Sequence, residues 1–132
     1  MATKSNRRQV GEGLDLLVEG MKPFVIQEMK RRHDRDWVHE IAEIINKNPS
    51  APKHNITDDI PWDTSLIASI IEAEWRYLFR NKLGSADRSM LHEVRDVRNR
   101  WAHQKAFSLD DTIRALDTIW RLLSSVLSLI HI

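Results

Sequence analysis

Three of the chain's four prolines, Pro49, Pro52 and Pro61, fall within one stretch from Asn46 to Pro61, and the 132 residues contain only four glycines. Proline removes a backbone donor and glycine loosens the chain, so their scarcity elsewhere leaves long segments able to be helical. The same stretch carries Asn-containing turn signals and the pair Asp58-Asp59, and it reads as one loop between two helical halves. No segment alternates apolar and polar residues as a half-buried strand would. These features predict an all-α fold, a four- to five-helix up-and-down bundle with short connections.

Apolar residues recur at helical spacing over Asn6 to Glu19, through Val10, Leu14, Leu17 and Val18. Gly20 is expected to interrupt this helix, and Pro23 to open a second one carrying Phe24, Val25 and Met29 up to Lys30-Arg31-Arg32. Another begins near Trp37, with Val38, Ile41, Ile44 and Ile45 on one stripe; His33 to Asp36 fits either a break or continued helix. Beyond the loop, Asp63 or Thr64 caps a long helix expected to reach Lys82. Gly84 and Ser85 separate it from a helix over about Ala86 to His103, and Ser108-Leu109-Asp110-Asp111 reads as a capping box opening a last helix through Leu129. Trp75, Trp101 and Trp120 lie on apolar stripes and are assigned to the core, while Trp37 and Trp62 are left open. The apolar, uncapped end from Leu122 to Ile132 suits a core helix that happens to finish the chain, a domain cut from a longer chain, or a tail that packs on a partner.

Composition narrows the class. At 42% hydrophobic and 30% charged the chain is globular, and one domain spanning residues 1–132 accounts for its length. With no cysteine, a disulfide scaffold, a thiolate nucleophile and a cysteine zinc site are excluded, and a reducing, cytoplasmic setting is expected. No apolar run reaches the length of a membrane span, so no membrane partner is expected. No phosphate-cradling glycine loop exists either, since Gly11-Glu12-Gly13 lies inside a helical pattern, which argues against ATP hydrolysis by this domain.

The segment Arg88 to His103 is where chemistry concentrates. Placed on a helix with Met90 at zero, Val94, Val97 and Trp101 fall within about 40° of it and form the buried stripe. Asn99, His92 and His103 fall at about 180–220°, flanked by Arg88, Arg95 and Asp96, while Arg98 sits at about 80° on the apolar rim. Most polar helix faces are merely solvated. The order Arg98-Asn99-x-x-x-His103 is more pointed, because histidine moves protons near neutral pH and arginine holds phosphate with a fixed fork of donors. Such groups suffice for RNA cleavage by the neighbouring 2′-hydroxyl without metal. Arg-x4-His alone is expected about 0.6 times in a chain of this composition, and requiring Asn beside Arg lowers that to about 0.03.

Arg98-Asn99-Arg100-Trp101-Ala102-His103 resembles the Arg, polar, His motif of the HEPN superfamily. The flanking order is similar too: a long helix with Glu74-Trp75, a polar turn, the motif at the end of the next helix, then a capped final helix. Ser5 to Gly11 and Leu16 to Phe24 look like the branch named after a nuclear mRNA-surveillance endoribonuclease. The resemblance spans roughly Asn6 to Leu127. It implies a homodimer with a composite site, an RNA substrate and no cofactor or metal. His103 would then be the acid–base group, Arg98 the phosphate contact and Asn99 an orienting residue; Arg100 is added as a second phosphate contact. His92, Arg95 and Asp96 are added as accessory candidates. The resemblance also implies phage defence or toxin-type regulation, with fused or associated ATPase or regulatory domains. The alternatives are a non-catalytic HEPN dimerisation or RNA-binding module, and an unrelated helical adaptor. On an ideal helix Arg98 and His103 diverge by about 140°, so either the helix loosens near Trp101 or a two-fold axis supplies the convergence.

Two further clusters carry charge or possible ligands. His33-Asp34-Arg35-Asp36 with His39 is a poor metal set, since the histidines diverge and arginines crowd them. Lys30-Arg31-Arg32 reads as a solvated face or as a phosphate track. The net charge of +1 conceals asymmetry: residues 1–35 hold eight basic against five acidic groups, and residues 80–105 seven against three. Pairing across a two-fold is expected to join these positive segments into a local groove.

Overall fold

The computed structural model describes residues 3–47 and 60–130. Within them the chain forms α1 (Thr3–His33), α2 (Trp37–Asn46), α3 (Thr64–Ala73), α4 (Ser85–Ala102) and α5 (Leu109–Ile130), with single 3-10 turns at Asp34–Asp36 and Phe79–Asn81. The architecture is the expected all-α bundle. Most of the proline-rich loop and the last two residues lie outside the described residues.

The first correction is that residues 3–33 form one helix; neither Gly20 nor Pro23 divides it. Glycine and proline inside a helix cost about 1 and 3 kcal/mol. Against that, Val10, Leu14, Leu17, Met21, Phe24, Val25 and Met29 form one buried stripe across both positions, and each such side chain gains about 1.5–3 kcal/mol on burial. Pro23 is exposed, where water can reach the carbonyl its missing N–H leaves unbonded. Gly20 faces Leu123 of α5, and a Cβ there would overlap the leucine Cδ2 and require that side chain to shift. Its role is helix contact, not helix termination.

The second correction concerns residues 64–82. Asp63 caps α3 as expected, accepting the Leu66 N–H at 2.7 Å, but the α-helix ends at Ala73. The chain then widens: Phe79 N–H reaches Glu74 O at 3.2 Å and Arg80 N–H reaches Trp75 O at 2.9 Å, each five residues back. The wider turn faces Glu74 toward α1, where Arg32 Nε lies 3.1 Å and His33 Nε2 2.8 Å from its carboxylate, while Trp75, Leu78 and Phe79 stay buried.

Side-chain registers set the topology. Asp63, Ser69 and Glu72 of the α3 segment meet Arg98, Arg95 and Arg88 in turn, so α4 runs against α3. Arg100 meets Asp111 and Glu93 meets Arg114, so α5 runs against α4. The core lies between α1, α3, α4 and α5, with Ile41 and Ile45 of α2 completing one end.

Trp120 is the third correction. It is 68% exposed and belongs to an outward stripe of α5 with Leu109, Ile113 and Leu127. The inward stripe is Ala115, Ile119, Leu122 and Val126. Both stripes have helical spacing, so α5 is apolar over more of its circumference than the core can cover. Among the described residues no helix is long and apolar enough to cross a membrane.

Candidate nucleic-acid site

α4 stays helical to its end. His103 N–H bonds to Asn99 O at 3.0 Å, and then Gln104 N–H reaches Trp101 O and Lys105 N–H reaches Arg100 O, both at 3.1 Å. With Gln104 at φ 57°, this is a Schellman closure with glutamine where glycine is usual. The helix therefore does not loosen near Trp101, and the divergence of about 140° between Arg98 and His103 persists within one chain.

The N-terminal end of α1 clasps this closure. Arg7 Nη2 donates to Trp101 O at 2.7 Å, Trp101 Nε1 donates to Arg7 O at 3.1 Å, and the Arg7 guanidinium lies 4.7 Å from the indole centroid. Asn6 Nδ2 donates to Phe107 O at 3.0 Å. Arg7 also sets positive charge against the negative end of the α4 dipole. The two positive segments found in the sequence thus partly meet within one chain. Lys30-Arg31-Arg32 lies about 35 Å away along α1, at 1.5 Å per residue. Lys30 stacks over Trp37, Arg31 faces Glu28 and Arg32 pairs with Glu74, so this run is engaged at the opposite end of the bundle.

The motif residues have distinct surroundings. Asn99 and His103 are exposed one turn apart, and among the described residues their side chains have no hydrogen-bond partner. Arg98 is half-buried and donates to Asp63 Oδ2 at 3.0 Å. Arg100 reaches Asp111 Oδ2 at 3.1 Å and covers the Phe107 ring, and its guanidinium holds the Asp111 carboxyl below the usual range, with Ser108 assisting.

The accessory candidates separate from this group. His92 lies about 16 Å along the helix axis from His103 and 2.5 Å from Glu72 Oε1. Arg88 grips the same carboxylate with two bonds of 2.9 and 2.8 Å. Chiefly through Arg88, and with His92 assisting, the Glu72 pKa falls from 4.5 to about 2 despite opposition from burial. Arg95 donates to Ser69 Oγ at 3.0 Å, and Asp96 is exposed. His92 and Arg95 thus tie α4 to α3. On the other flank, Glu93 accepts from Thr118 and Arg114, which lower its pKa.

Asp63 is the residue that sequence reasoning missed in this role. Its sequence position signals a helix cap, and nothing in its spacing to Arg98 signals the ion pair. The acidic and histidine donors that do come together are not those of His33 to His39: donor atoms of His33, Glu40 and Glu74 lie within 4.8 Å of one another. Arg32 and His33 already engage both Glu74 oxygens, which describes an ion-pair network joining α1 to the turn after α3.

Among the described residues the chain is a helical bundle whose fourth helix closes on Arg-Asn-x-x-x-His. The Swt1-like HEPN profile matches residues 12–127, and the chain belongs to that family. No curated protein and no solved structure matches it.

Proposed function

We propose that this domain is a metal-independent endoribonuclease working as a homodimer. The carrying observation is that Asn99 and His103 present unengaged polar side chains at the end of α4, while the arginines around them are bonded to protein partners. In the reaction the 2′-hydroxyl attacks the adjacent phosphorus and the bond to O5′ breaks, leaving a 2′,3′-cyclic phosphate and a 5′-hydroxyl. His103 takes the proton from the 2′-oxygen, and the partner subunit's His103 delivers one to O5′. Arg98, with Arg100 beside it, neutralises charge developing on the phosphate, and Asn99 orients it. The two-fold is needed because Arg98 and His103 diverge on an unbroken helix. As the resemblance implies, the activity serves phage defence or toxin-type regulation under a fused or associated regulatory or ATPase domain.

The Arg98–Asp63 ion pair favours a second reading, a non-catalytic RNA-binding or dimerisation module in a larger defence assembly. Incubating fluorescent RNA with the chain in excess EDTA separates the two. Cleavage to cyclic phosphate ends, lost in His103→Ala and Arg98→Ala, is the expected result. RNA binding without cleavage in the dimer, alone and with its regulatory partner, would select the second reading. Light scattering that shows only monomer at high concentration would remove the composite site.

A further inference from the structure

Arg98 forms one wall of a cleft of about 410 Å³ between α1, the start of α3 and the end of α4. Trp62 and Trp101 supply aromatic surface, and Asp15, Glu19 and Asp63 supply carboxylates. Asp63 is committed to Arg98 and to the α3 cap. Asp15 and Glu19 are not committed. They sit one turn apart on α1, and among the described residues neither has an ion-pair partner, whereas their neighbour Glu12 is held by Arg8. Both are exposed, and like charges at this spacing repel, so the pair does not stabilise α1.

The cleft volume falls in the range that encloses small ligands. A basic ligand would find acceptors there, but Arg98 in the wall and Lys22, 5.7 Å from the Trp62 centroid, oppose a cation. A neutral flat ring carrying N–H donors meets no such opposition. Single-stranded RNA is read in this way, with an unstacked base against an aromatic side chain and its Watson–Crick edge hydrogen-bonded. Ionised carboxylates only accept. Guanine alone among the four RNA bases offers two adjacent donors on that edge, N1–H and the 2-amino group. Adenine and cytosine place an unprotonated ring nitrogen beside their amino group, and uracil flanks its one N–H with carbonyls.

We propose that this cleft is a guanine subsite, in which Asp15 and Glu19 accept from the base edge, Trp62 stacks on the ring and Arg98 holds the attached phosphate. This rests on the reading of Arg98 as an RNA phosphate contact.

Tryptophan fluorescence of the 132-residue chain, titrated with single nucleotides, tests it without requiring catalysis. GMP should bind about tenfold tighter than AMP, CMP, UMP or IMP, the last lacking only the 2-amino group. The Asp15→Asn, Glu19→Gln double variant should retain its circular dichroism and lose the preference, and Trp62→Ala should weaken GMP binding read from the remaining tryptophans. Equal binding of all five nucleotides, no nucleotide binding, or spermine binding tighter than GMP would overturn the subsite. RNA cleavage without preference for guanine would overturn it and leave the nuclease reading standing. Selective GMP binding in a chain that never cleaves RNA would support the subsite and remove the nuclease.

Discussion

Asp63 holds Arg98 through one carboxylate oxygen at 3.0 Å and caps α3 through the other at 2.7 Å. A single aspartate therefore couples the start of α3 to the arginine proposed to bind phosphate. While the pair is closed, part of the guanidinium's donor capacity is spent on Asp63, so phosphate binding competes with an internal carboxylate.

Asp63→Asn keeps an oxygen for the Leu66 N–H and removes the charge that holds Arg98. Its stability should stay close to wild type, with RNA binding tighter and the log–log salt slope steeper by about one phosphate contact. Asp63→Ala also loses the cap and should cost about 1 kcal/mol in urea unfolding. Unchanged RNA affinity in Asp63→Asn would show that the pair does not compete with phosphate.

Glu72 makes stability depend on acid. Its folded pKa, about 2, lies below its ordinary value of 4.5, with Arg88 the main cause. The unfolded chain therefore takes up this proton first, and the stabilisation is present above pH 4.5 and fades as pH falls toward 2. Urea midpoints measured across that window should fall in wild type, and Glu72→Gln should flatten this component of the fall.

Gly11→Ala is expected to destabilise, although alanine is the better helix former by about 1 kcal/mol. A Cβ at Gly11 would lie 2.9 Å from Trp101 Nε1 and 3.1 Å from two ring carbons. The indole is pinned by its bond to Arg7 O and cannot yield easily. Overpacking of this kind costs about 1–3 kcal/mol, and thermal unfolding should show the net loss.

Gln104→Gly should have the opposite sign. The left-handed backbone at φ 57° costs a side-chain-bearing residue about 1–2 kcal/mol, partly offset by glycine's greater freedom in the unfolded chain. A gain of up to about 1 kcal/mol in unfolding free energy is expected from relieving that cost. If RNA cleavage fell in the same variant, the glutamine would have a positioning role beside His103.

The helical class and the bounds of α4 and α5 were readable because their signals are local. Ser108 accepts the Asp111 N–H at 3.0 Å as the capping box requires, and α4 ends within a residue of the expected His103. Capping and 3.6-residue periodicity involve neighbours in sequence, and those neighbours are all a sequence displays. Trp120 shows the boundary of such reasoning, since two stripes of equal spacing on α5 differ only in which one meets α1 and α4.

Gly20 and Pro23 carry genuine local costs, but the continuous burial of α1 against distant helices outweighs them. The widened turn after Ala73 exists because Glu74 meets Arg32 and His33, some forty positions earlier in the chain. The same holds at the candidate site. Arg98, Asn99 and His103 stand out by their order along one helix, whereas the pairing of Arg98 with Asp63 and the cleft it shares with Asp15, Glu19 and Trp62 arise where α1, α3 and α4 converge. Periodicity chooses the face of each helix; which side chain that face meets is decided only when the helices pack.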